Sequence, residues 1–188
     1  MENYLLDKAY HFFPKDTLGF DETYMEKIEI ERLNKHLKSS INGEYEEWKK
    51  IISNFNKNVK YKAIDYTNFL LKQPSLHFKI MIENDGQFLK TFNLYSSLVI
   101  PYYYFSEKVY DKVEKCYIGK EIINNINSLD NELISVVNEI EIKLKKKQID
   151  EKYLTLKIPN ISFEEIKEGN FTAMNAFFNP KDKYHEID

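Results

Sequence analysis

Apolar residues recur along the chain with two periods, and the switch between them sets the expected elements. From Tyr24 to Lys38 the step is three or four. Ile30, Leu33 and Leu37 form a stripe with Met25 and Ile28 beside it, which predicts an amphipathic helix. Thr23 and Glu26 stand at capping-box spacing ahead of it. After the breaker "NG", Tyr45, Trp48, Ile52 and Phe55 repeat the step and predict a second helix over about Glu44 to Asn56. Glu44, Glu46 and Glu47 fall in its first turn, where the helix dipole favours negative charge.

The period then shortens to two. "VKYKAID", from Val59, alternates and predicts a short strand. In "LHFKIMIENDGQFLKTFNLYSSLVI" two alternating runs flank "NDG", the pattern of a β-hairpin. A two-residue Asp85–Gly86 loop would pair Ile82 with Leu89 and Phe78 with Asn93, mixing apolar with polar. A three-residue loop from Asn84 to Gly86 pairs Ile82 with Phe88, Phe78 with Phe92 and Leu76 with Leu94. It keeps one face apolar and is the predicted register, with Gly86 left-handed. In "SSLVIPYYYFSEK" that parity continues through Leu98 and Ile100 to Tyr102 and Tyr104, which are expected in the core. Tyr103 falls on the other face with Tyr95, Val99 and Phe105, and is the candidate partner contact. Pro101 cannot donate to a ladder and marks an edge or a strand end.

Leu129, Leu133, Val136, Val137, Ile140 and Leu144 predict a long helix from about Leu129 to Lys147, with Ser128 as N-cap and Asp130 and Glu132 in the first turn. Lys143, Lys145, Lys146 and Lys147 crowd its end, where they complement the dipole and face water. "YLTLKI" predicts a strand. "NISFEEIKEGN" predicts a short helix, with Ser162 and Glu165 as capping box, Ile161 and Ile166 as staple and Gly169 as stop. "FTAMNAFF" predicts a last strand. Hairpin-joined strands with grouped helices define an α+β class: an antiparallel or mixed sheet of about five strands, helices packed mainly on one face. Glycines and prolines are scattered and no repeat or linker is visible, so residues 1–188 are read as a single domain.

Composition narrows the chemistry. The net charge is −3, without the broadly basic footprint of a phosphate-backbone binder. In "KVYDKVEKCYIGK" aromatics and lysines interleave, but Glu107, Asp111, Glu114 and Glu121 would repel phosphate, and no nucleic-acid partner is expected. Arg32 is the only arginine, and the bias to lysine is read as a proteome trait rather than a functional one. Cys116 is the only cysteine, which leaves no intrachain disulfide and no multi-cysteine metal site. His11, His36, His77 and His185 show no ligand spacing, so neither metal nor cofactor is expected. The sequence holds no G-x-S-x-G turn and no glycine-rich phosphate loop. No run is apolar for long enough to span a bilayer, and "MENYLLDKAYHFFPKD" lacks a cationic stretch followed by an apolar one. The expectation is a soluble, cytoplasmic protein with no membrane partner.

"HFFPKDTLGFDETYMEKIEIERLNKHL", "EEWKKIISNF" and "SSLVIPYYYF" together, over roughly the first 110 residues, resemble the small cytoplasmic immunity proteins that bacteria carry beside polymorphic or contact-dependent toxins. The resemblance implies a protein without a reaction of its own, which binds a cognate toxin encoded next door and occludes its working surface. Such toxins often act on nucleic acid and are basic, so acidic contacts are implied: Asp21, Glu22, Glu26 and Glu29 near the first helix, Glu44, Glu46 and Glu47 near the second. Two other classes stay open. One is an enzyme or ligand-binding domain with an aromatic-lined pocket; the other is a homo-oligomeric assembly protein.

Overall fold

Five strands form an antiparallel meander whose two faces differ in chemistry. The computed structural model describes the chain apart from residues 20, 58–59, 69–72, 85–87, 114–115, 124–129, 165 and 179–188. Its elements are α1 (Glu2–Phe12), α2 (Ile28–Ser40), α3 (Glu46–Phe55), β1 (Ala63–Asp65), β2 (Ser75–Asn84), β3 (Phe88–Ser97), β4 (Tyr102–Val113), β5 (Cys116–Ile123), α4 (Asn131–Lys143), β6 (Lys147–Gln148), α5 (Glu151–Leu154) and α6 (Ala173–Phe177). The sheet order is β1-β2-β3-β4-β5, and β6 runs parallel beside the start of β4. The class is α+β with a mostly antiparallel, mixed sheet.

Leu76, Phe78, Ile80, Phe92, Leu94, Tyr103 and Phe105 line the apolar face, all buried. Trp48 of α3 lies on Phe78 with ring centroids 5.0 Å apart. From α4, Val136, Val137 and Ile140 join the same core. α1 is a helix the pattern does not predict, although Leu5, Ala9 and Phe12 recur at four and three and are all buried. The "NG" at 42–43 breaks nothing: α2 passes into α3 through a π-type turn, Ile41–Tyr45, whose flanking residues keep helical dihedrals. Thr23 does not cap a helix. It bonds Asp21, and a single 3-10 turn, Tyr24–Glu26, precedes α2. β1 is shorter than predicted, and Val59 lies outside the described residues.

The hairpin keeps the predicted face but not the predicted register. Phe78 pairs with Leu94 and Leu76 with Ser96, two residues from the pairing expected. A slip of two leaves every side chain on its own face, so apolar parity cannot detect it. A bulge between Met81 and Glu83 then brings Asn84 opposite Leu89. Gly86 lies outside the described residues.

The larger correction concerns the tyrosines. β3 ends at Ser97, and the chain reverses through Leu98–Pro101 into β4. Parity does not carry through a reversal: Ser96 faces Tyr103 and Tyr95 faces Tyr104. Tyr103 therefore stands on the apolar face and is fully buried; Tyr104 is buried as expected but on the other face, which it shares with the partly buried Tyr102. The sequence pattern predicts neither β4 nor β5, because lysine and glutamate interrupt their aromatic and β-branched residues.

Towards the C-terminus local chemistry overrides the pattern. Asp130 caps α4, accepting from Leu133 N at 3.1 Å, and the helix stops at Lys143, four residues early. The proposed cap Ser128 lies outside the described residues. "YLTLKI" gives the end of α5 and a single bridge, Lys157 to Thr172, rather than a strand. "NISFEEIKEGN" is not a helix. Phe163 and Ile166 pair across a tight turn with Glu164 left-handed, and Gly169, at φ +83, occupies the third position of a turn from Lys167 to Asn170. "FTAMNAFF" holds α6, started by a capping box in which Thr172 and Asn175 bond each other's backbone N–H.

The reversal is held from three sides. Ser97 Oγ accepts from Val99 N and Ile100 N at 3.1 and 3.2 Å. His36 Nε2, from α2, donates to Leu98 O at 2.6 Å. Lys146 Nζ donates to Ser97 O at 2.7 Å and pairs with Glu44 Oε2 at 2.9 Å. Lys146 is thus buried rather than part of a solvated cluster. Its replacement leaves Glu44 and a buried carbonyl without a partner. Lys146→Met is expected to lower stability by about 2–3 kcal/mol in urea unfolding. Glu44→Gln should cost about 1 kcal/mol, because that carboxylate is partly in water. A loss under about 0.5 kcal/mol for Lys146→Met would contradict this role.

Candidate functional site

The segment from Pro14 to Glu29 has little regular structure, yet it is pinned to the rest of the molecule. Asp16 N donates to Asn160 O at 2.8 Å. Ser162 Oγ donates to Thr17 O at 2.9 Å and accepts from Gly19 N at 2.7 Å. Tyr24 is buried, and its hydroxyl donates to Ser162 O at 2.9 Å. Burial first, and then the charge of Glu29, push the Tyr24 phenol well above its ordinary pKa. The Tyr24 ring meets Phe163 at 5.8 Å, and Phe13 meets the same ring at 5.6 Å. Gly19 lies so close to the opposing backbone that a Cβ there would come within 2.5 Å of Glu164 N. Only glycine fits that approach.

This pinned stretch exposes both apolar and acidic side chains. Leu18, Met25 and Ile28 are 56%, 42% and 53% exposed. Asp21, Glu22 and Glu26 are exposed and Glu29 is half-buried, with Lys27 the single cation between them. Asp21 N donates to Leu18 O at 2.9 Å, closing a turn. Asp21 Oδ1 accepts from Thr23 Oγ1 at 2.7 Å and Thr23 N at 2.8 Å, and these bonds hold its carboxyl below the usual aspartate range.

Four of the acidic residues singled out in the sequence therefore fall within this one pinned stretch. The others do not join it. Glu44, Glu46 and Glu47 lie roughly 20 Å away along the helical stretch that separates them from Glu29. Glu44 is committed to Lys146. Glu46 and Glu47 pair with Lys49 and Lys50 at 2.6 and 3.0 Å, ordinary pairs within one helix face. Tyr103 cannot touch a partner: its ring is buried and its hydroxyl donates to Glu141 Oε1 at 2.7 Å. The apolar members of the surface escape sequence reasoning, because Met25 and Ile28 look like the edge of a helix stripe. Their position before and at the first residue of α2 puts them outside the packed face.

The second face of the sheet is polar and aromatic. Tyr66, His77, Tyr95 and Tyr104 stand side by side on the continuation of β1, β2, β3 and β4. His77 stacks on Tyr95 at 4.0 Å and Tyr95 on Tyr104 at 4.7 Å. Phe178, at the end of α6, meets Tyr104 edge-on, and its carbonyl accepts from Ser75 Oγ. The next positions along the strands carry Lys79, Asn93 and Ser106, then Met81, Thr91 and Lys108. Burial drives the His77 pKa down to about 3; the Asn93 bond opposes the shift, and Lys79 and Lys108 add to it.

Between α3 and α4 runs an open groove of about 310 Å³, lined by Asn54, Phe55, Asn131, Glu132, Ser135, Val136 and Glu139. Phe55 is its one aromatic wall. Among the described residues no three His, Cys, Asp or Glu side chains converge as a metal site, and no helix is long and apolar enough to cross a membrane. No protein-family model, curated protein or solved structure matches the chain.

The neutral histidine gives a pH test of the polar face. An unfolded histidine takes up its proton near pH 6.5, so between there and about pH 3 the unfolded state binds more protons than the folded one. This contribution to stability is complete above about pH 6.5 and falls away as the pH drops towards 3. Urea melts at about pH 7 and about pH 4 should show a smaller acid loss for His77→Gln than for the parent. Equal losses would show that His77 protonates freely in the fold.

Proposed function

We propose that the protein is a non-catalytic immunity protein that binds a cognate bacterial toxin through the surface of residues 18–29. The carrying observation is that Leu18, Met25 and Ile28 are exposed within one short stretch that also holds Asp21, Glu22, Glu26 and Glu29, on a backbone fixed by Ser162, Tyr24 and Gly19. Apolar side chains exposed together are a cost unless something covers them. Fixing the backbone beforehand reduces the entropy lost on binding. The carboxylates select a partner that is basic around an apolar contact, and they speed its approach. That is the surface expected of a toxin acting on nucleic acid, the partner implied by the resemblance over roughly the first 110 residues.

The test is to express the neighbouring reading frame with and without this chain. The expected result is a toxic neighbour neutralised by stoichiometric binding. Reversing two charges, Glu26→Lys with Glu29→Lys, should slow association by about tenfold at low salt and by less at high salt. A harmless neighbour, with nothing co-purifying, would refute the reading. So would a complex whose association ignores both the reversals and the salt.

A further inference from the structure

We draw no further inference here: the strongest candidate, the exposed patch that Ile64, Tyr66 and Met81 form around Lys79 on the polar face of the sheet at its β1–β2 edge, carries nothing, because nothing in the structure shows what covers it.

Discussion

The fold depends on satisfying one short run of buried backbone. Ser97 to Pro101 must reverse the chain between two central strands while Leu98, Val99 and Ile100 stay out of water. A buried loop cannot leave its carbonyls bare. His36 reaches Leu98 O from α2, and Lys146 reaches Ser97 O from beyond the end of α4. Glu44, from the turn between α2 and α3, neutralises the Lys146 ammonium. The continuous α2–α3 stretch and the segment after α4, distant in sequence, are thereby fixed to the sheet at one point. The backbone of Lys147 then pairs with Pro101 and starts β6.

That arrangement leaves the stretch of residues 18–29 and the polar face of the sheet on different parts of the molecule. The helices covering the apolar face of the sheet are anchored at the reversal. The start of α2 is anchored separately, by Ser162 and the ring of Tyr24 against Phe163. Between those two anchors, Leu18, Met25 and Ile28 have no core left to enter, because Ile30, Leu33 and Leu37 already fill the inward side of α2. Their exposure follows from packing.

Class and faces were legible in the sequence, since they follow from periodicity. Alternation in β2 and β3 sorts Phe78, Ile80, Phe92 and Leu94 onto one side whatever the register. The exact pairing was not legible, because a slip of two preserves that sorting and the bulge near Ile82 has no sequence mark. Parity misplaces Tyr103, because the reversal at Leu98–Pro101 has the apolar pattern of a continuing strand. Thr172 and Asn175 hid a helix start, since asparagine stands where a capping box commonly has glutamate or glutamine. The acidic half of the surface at residues 18–29 could be read from charge alone. Its apolar half, and the role of Gly19, require knowing that residues 160–164 lie against it. The same holds for Lys146, which shares a run of lysines but leaves water because the helix ends before it.

The assignment of residues 18–29 as the binding surface is tested most directly by amide hydrogen exchange of the chain alone and in complex with the product of the neighbouring reading frame. Slowed exchange concentrated in residues 18–29, with residues 75–79 and 91–95 unchanged, is the expected result. Protection confined to the sheet, with residues 18–29 exchanging as in the free chain, would contradict it.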